Sequence, residues 1–300
     1  MQSGTSATDV DWKNWNVGFC GTPLDARGRA AINETKDRAS HWFKLSYDSD
    51  SFIVDVNGEK VNVDEFLAYL TQLVKGPVLL EATTLGFVEI LLCCRGLRDL
   101  GISSFDLSYV EPLGYSRSKK TRVLHNRDFE LSSDVPGYRA IPGNAILLGD
   151  RRPQKGVFFL GYEESRLRRA FEDLQMLDSA RSAIAFGVPA FRPGWEMDSI
   201  ANNIAVVREN NLRGGVHYCG ATNPAAVFEL LLEIRNGLTD GERLFVAPIG
   251  TKPHGIGVAL FVSEHRDVGV IYDHPKRRMD RTDQTSDWHL YSVGDSLEGA

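Results

Sequence analysis

Leu244-Phe245-Val246-Ala247-Pro248-Ile249-Gly250-Thr251-Lys252-Pro253-His254-Gly255 is the stretch on which the fold turns. Leu244 to Val246 is a short apolar run with the length of a buried strand. Pro248 to Pro253 is a polar, glycine-bearing loop, and Gly255 to Val262 is apolar on nearly every side, which predicts a buried helix. Val268 to Tyr272 closes the unit as a second strand. The same order stands earlier in the chain: strand Pro77 to Leu80, loop Glu81 to Gly86, buried helix Phe87 to Leu100, strand Phe105 to Val110. Both copies end alike, in Tyr109-Val110-Glu111-Pro112 and Tyr272-Asp273-His274-Pro275, so an internal pseudo-repeat is expected.

Between the copies the alternation continues. Strands are predicted at Val157 to Leu160, Ala183 to Val188 and Val216 to Tyr218. Helices are predicted at Glu163 to Leu177, Asp198 to Asn210 and Asn223 to Arg235, the last with Asn223 as cap and Pro224 at its first position. Apolar strands alternating with helices of this length imply a mostly parallel sheet covered on both faces. The predicted class is therefore α/β, a doubly wound, Rossmann-like core over residues 76–300. The segment 113–150 breaks the rhythm and reads as an insertion, with strand character near Phe129-Glu130-Leu131. Residues 1–75 read as a β-rich N-terminal extension. It has an irregular arm around Trp12 and Trp15, a hairpin turning at Asn57-Gly58, and a helix at about Asp64 to Val74 capped by Asp64.

Composition narrows the function classes. The chain has 300 residues, 42% apolar and 25% charged, enough for a full core and too little charge for disorder. A net charge of −6 opposes sequence-independent binding to duplex nucleic acid, which needs a broad basic face. Charge, Gly or Pro interrupts every apolar stretch before about 18 residues, so no membrane span is expected. Met1 to Thr5 lacks the pattern of a secretory leader. The 4 cysteines include the adjacent Cys93 and Cys94 inside an apolar helix, which is no disulfide framework. A cytoplasmic location is the expectation.

In an open parallel sheet the strand-to-helix loops share one edge, and ligands bind there. Here those loops carry hydroxyls, cations and helix starts. Thr83 and Thr84 follow the first core strand, Arg166 lies beyond Gly161-Tyr162, Arg192 follows the strand ending at Val188, and Thr251-Lys252 opens the last helix. Lys252 stands directly after a buried strand, where packing has little use for it. These six residues are the expected ligand contacts, and an anion is the expected ligand. Tyr162, Phe191 and Trp195 offer rings to a base. The basic run Arg117 to Arg122 reads as solvated surface. Glu81, Asp273 and His274 form the expected catalytic set, since two carboxylates and an imidazole suit acid–base work. Against that stands a structural reading, with Glu81 capping its own loop and Asp273 paired with Arg277 or Arg278. His217 and Cys219 share a strand face without a second pair at zinc spacing, so no metal site is expected. No P-loop and no Gly-x-Gly-x-x-Gly after a strand is present.

The loop Ala247 to Pro253 resembles the Gly-Thr-Lys loop of CARF-type Rossmann-like domains, the nucleotide sensors of prokaryotic antiviral systems. Glu81 to Phe87 is similar to that family's first ligand loop. The resemblance covers these two loops with their flanking strands, and implies phosphate or ribose contacts from Thr83, Thr84, Thr251 and Lys252. The leading expectation is a protein that binds a nucleotide-like small molecule or an oligonucleotide end, as a sensor or regulatory component of a larger system, with antiviral defence implied by the resemblance. No obligatory cofactor is expected beyond that ligand. One alternative is a nucleotide or phosphodiester hydrolase using Glu81, Asp273 and His274. Another is a non-catalytic interaction subunit, or homodimer, contacting protein partners through its N-terminal arm and the insertion.

Overall fold

The computed structural model describes residues 1–116, 129, 131–139, 141–143, 154–173, 179–212 and 214–294. In chain order the first strands and helices are β1 (Gln2–Gly4), β2 (Trp15–Cys20), α1 (Ala26–Thr35), β3 (Ala39–Asp48), β4 (Ile53–Val56), β5 (Glu59–Asn62), α2 (Val63–Leu73), β6 (Val78–Glu81), α3 (Phe87–Asp99) and β7 (Phe105–Tyr115). Then come β8 (Ser132–Asp134), β9 (Gln154–Leu160), α4 (Glu164–Asp173), β10 (Ala183–Gly187), α5 (Trp195–Glu209), β11 (Val216–Cys219) and α6 (Pro224–Asn236). The last are β12 (Arg243–Pro248), α7 (Lys252–Glu264), β13 (Gly269–Val270), β14 (Lys276–Arg277) and β15 (Thr282–Val293). The protein is mixed α/β, and no described helix is long and apolar enough to cross a membrane.

The chain divides into two compact units, 1–116 with 279–300, and 117–278. The boundaries fall there and not at residue 75, because the N-terminal segment supplies an interior strand of the first unit. That unit's eight-stranded sheet runs β1-β15-β7-β6-β2-β3-β4-β5. β2 pairs in parallel with both β6 and β3, and β6 with β7, while both flanks are antiparallel. Trp15, Val17, Phe19 and Cys20 of β2 are all buried. Gly18 sits among them because the Trp42 indole covers it, and a Cβ there would come within 2.9 Å of that ring. The irregular look of residues 12–20 thus comes from one glycine under a tryptophan. Trp15, Ala31, Leu79, Val110, Trp288 and Leu290 form the core on one side of this sheet. Residues 113–115, read as the start of the insertion, complete β7 and pair with β15. The hairpin at Asn57-Gly58 forms as expected, but α2 is capped by Asn62, whose side chain accepts from the Asp64 amide.

The second unit holds a five-stranded, wholly parallel sheet in the order β11-β10-β9-β12-β13. The chain builds outward from β9 through β10 to β11, then returns across the sheet to β12 and β13. Strand order therefore reverses between β9 and β12. Phe158, Leu160, Ile184, Phe186, Phe245 and Ala247 fill one face together with Leu167 and Val206. Asn223 caps α6 by accepting from the Ala226 amide, with Pro224 at the first position, as expected. α5 begins at Trp195, three residues earlier than its apolar pattern suggests, after Gly194 at φ 93°. Both stretches of the internal repeat form parallel strand–helix–strand units, β6-α3-β7 in the first unit and β12-α7-β13 in the second. The basic run 117–122 lies outside the described residues.

Gly21 makes the first unit's fold testable. A Cβ at this position would lie 2.3 Å from the Thr84 carbonyl oxygen, a backbone atom that cannot step aside. Gly21→Ala is expected to cost about 1–3 kcal/mol, read as a lower urea midpoint with an unchanged slope. Gly58→Ala, where a Cβ meets nothing and only the positive φ of 93° opposes it, is expected to cost about 1 kcal/mol.

Candidate functional site

The carboxyl edge of the five-stranded sheet is built around the close approach of two glycines. A Cβ on Gly161, after β9, would lie 3.0 Å from the Ile249 carbonyl oxygen and 3.5 Å from the Gly250 Cα. The two loops at the order reversal therefore rest directly against each other. Helix α5 pins the first of them: Ser199 Oγ and Asn203 Nδ2 donate to the Gly161 carbonyl at 2.8 and 2.9 Å, and Asn202 Nδ2 donates to that of Tyr162 at 2.9 Å. Two adjacent asparagines in an otherwise regular helix were the visible sign of such an anchor.

The second loop is fixed by the start of α7. Thr251 caps the helix, accepting from the His254 amide at 3.4 Å while its hydroxyl donates to the Ala221 carbonyl at 2.8 Å. Its side chain is thus committed to the fold, and Lys252 follows as the first helical residue. His254 is fully buried, with Nε2 3.3 and 3.2 Å from the Cys219 and Gly220 carbonyl oxygens. Burial pulls its pKa down to about 4 against the opposing pull of those two carbonyls. The ring is neutral at physiological pH, donates from Nε2, and leaves Nδ1 without a partner among the described residues. Gly250 packs over that nitrogen, where a Cβ would come within 2.9 Å of it.

Arg166 and Asp273, expected as a ligand contact and a catalytic acid, are instead brought together. Arg166 Nε and Nη2 each donate to the Asp273 carboxylate at 2.6 Å, and Nη1 donates to the Ile249 carbonyl at 3.1 Å. Burial opposes the guanidinium's charge, but Asp273 more than compensates and raises the Arg166 pKa above its usual value. The partner of Asp273 is thus neither Arg277 nor Arg278. His274 is buried at a positive φ of 47°, with Nε2 3.4 Å from the Arg139 carbonyl.

Glu81, Thr83 and Thr84 lie in the first unit. Glu81 is wholly buried and accepts from the Thr83 and Thr84 amides at 2.9 and 3.0 Å and from the Thr84 hydroxyl. Burial raises its pKa in spite of those bonds. Thr84 Oγ1 accepts from the Gly21 amide at 2.8 Å and Thr83 Oγ1 from that of Val110 at 3.1 Å. Glu81 caps its own loop, and both threonine hydroxyls serve the fold.

Beside the Gly161 loop is a recess of about 330 Å³ lined by Phe129, Ser132, Tyr162, Glu163, Glu164, Ser165 and Asn202. Tyr162 forms its aromatic wall, 4.6 Å from Phe129 and edge-on to Trp195 at 6.1 Å. The Glu163 carboxylate is engaged by the Leu131 and Ser132 amides and the Ser132 hydroxyl. Arg192, in the loop that leads from β10 to Trp195, is half-buried, and its Nε is shielded from solvent with no partner among the described residues. Phe129 and Asn202 escaped sequence reasoning, the first because it lies far along the chain from the Tyr162 ring it packs against.

No known family model matches this chain, and no curated protein is similar to it. Among the described residues, no group of three or more His, Cys, Asp or Glu is placed to hold a metal ion. The four cysteines are all buried, and among the described residues no disulfide joins them.

The Arg166–Asp273 pair gives the site its own test. Arg166→Met leaves a buried carboxylate without a counter-charge and is expected to cost about 3–5 kcal/mol. Arg166→Met with Asp273→Leu removes both charges and is expected to recover most of that loss. Chemical denaturation of the three proteins measures both.

Proposed function

We propose that this protein binds an anionic, nucleotide-like ligand at the carboxyl edge of its five-stranded sheet, as the sensing or regulatory component of a larger system. The strand order supports reading the second unit as a doubly wound, Rossmann-like domain, with its ligand at the reversal between β9 and β12. The observation that carries the proposal is Arg192. A guanidinium nitrogen shielded from water without a partner among the described residues costs free energy that an incoming anion would recover, and this one lies in a strand-to-helix loop of that edge. The N-terminus of α7, a helix of 13 residues, adds partial positive charge beside Lys252. The recess walled by Tyr162 suits a base or sugar, with Asn202 and Ser165 as polar neighbours.

Charge complementarity favours this over hydrolysis. The Asp273 carboxylate is held by Arg166 and that of Glu81 by its own loop, so neither is available as a base. The likeness to CARF-type sensors bears on the proposal through Lys252, since the Thr83, Thr84 and Thr251 hydroxyls bond within the protein. Isothermal titration with nucleoside triphosphates and with cyclic di- and trinucleotides tests it. One class is expected to bind, and Arg192→Ala and Lys252→Ala are each expected to weaken it by about tenfold or more, the worth of one charge-assisted hydrogen bond. Unchanged affinity in both folded variants would overturn the site.

A further inference from the structure

The first unit contains a hydrogen-bonded relay of three side chains. Ser3 of β1 is the cross-strand partner of His289 on β15, and its Oγ lies 2.7 Å from the imidazole Nδ1. On the far side of the ring, Nε2 lies 2.7 Å from Glu111 Oε1 on β7. His289 and Glu111 are each 3% exposed, while Ser3 is exposed. Ser3 is the one exposed residue of the three, and its hydrogen bond to His289 is part-buried.

Beside a carboxylate acceptor, a neutral imidazole carries its hydrogen on Nε2 and donates it to Glu111. Nδ1 then holds a lone pair and accepts the hydrogen of the Ser3 hydroxyl. Ring planes hold this orientation: Tyr109 lies within 14° of parallel to His289 at 6.2 Å, and Tyr291 within 10° at 5.8 Å. The bulge in β15 between Thr285 and Trp288 falls opposite Glu111, where an extra residue locally re-aims the strands. A serine on an exposed residue, a buried imidazole beside it and a buried carboxylate orienting that imidazole make up the constellation of an activated nucleophile.

We propose that Ser3 is a nucleophile toward esters, with His289 as its general base and Glu111 as the residue that positions and charges that base. In the first step Ser3 Oγ bonds to the carbonyl carbon as its proton passes to His289 Nδ1. The imidazolium so formed is held by Glu111 through Nε2–H. Collapse of the tetrahedral adduct breaks the bond to the alkoxide, which leaves with the proton from Nδ1. Water then attacks the acyl-serine by the same route, giving its proton to Nδ1, and Ser3 Oγ recovers that proton as the acid departs. β1 is the outermost strand of its sheet, and in the proposed step backbone amides along that edge would supply the donors to the developing oxyanion. An ester is the expected substrate class because its leaving group needs the least assistance.

A fluorophosphonate probe tests this on the full chain without knowledge of the natural ester, since Ser3 Oγ would displace fluoride at phosphorus with the same proton transfer. Peptide mass mapping is expected to find the adduct on Ser3 and not on Ser46 or Ser51, exposed serines of the same unit. Ser3→Ala should abolish it. His289→Gln and Glu111→Gln should slow it at least tenfold, and Glu111→Asp, which keeps the carboxylate, should restore part of what Glu111→Gln loses. No adduct on Ser3, or a rate on Ser3 no faster than on Ser46, would overturn the proposal. That comparison is made within the wild-type protein and holds whether or not the His289 variant folds.

Discussion

Arg166 is buried with three nitrogens committed, two to Asp273 and one to the carbonyl of Ile249. From the first turn of α4 it ties the loop after β12 to the segment that follows β13. Such a pair is costly to desolvate and is held only by its bidentate geometry and the added carbonyl. Its consequence is structural precision: the loops that meet at Gly161 and Gly250 cannot drift apart while it stands. It also removes Arg166 from the charges that face solvent at this edge. In the proposed function, a ligand's negative charge is met by Arg192, Lys252 and the start of α7.

The first unit handles its own strand-to-helix loop by a related device. Glu81 is wrapped by the two threonines that follow it, and the Thr84 hydroxyl extends the network to the Gly21 amide. Here the buried charge is answered by backbone amides and hydroxyls, and no ligand is needed to complete it. The polar chemistry of this unit gathers instead on β7 and β15, where Arg27 donates to the Val110 carbonyl and His289 to Glu111. In both units a side chain that looks functional in the sequence has become the fastener of a loop. The groups left over, Arg192 in one and Ser3 in the other, carry the chemistry proposed for each.

Much of the architecture was legible from periodicity. Continuous apolar runs marked β6, β9, β10 and β12, and Asn223-Pro224 marked the start of α6, because burial on both faces and a capping side chain leave local signatures. β2 and β15 were not legible. β2 is interrupted by the glycine that Trp42 demands, and β15 alternates Trp288 and Leu290 with His289 and Tyr291, polar groups buried by a network that lies elsewhere in the chain. The sheet edge was legible in position, but its side-chain pairings were not. Sequence placed Arg166 and Asp273 at one sheet edge, yet their pairing depends on side-chain reach across three loops. It placed Thr83, Thr84 and Thr251 in strand-to-helix loops, where their hydroxyls bond backbone groups.

Native mass spectrometry of the intact protein, as purified and after incubation with a mixed nucleotide pool, tests the central claim most directly. An added mass is expected that denaturation releases as a phosphate-bearing nucleotide, and that Arg192→Ala reduces. A bare protein mass under both conditions would contradict it.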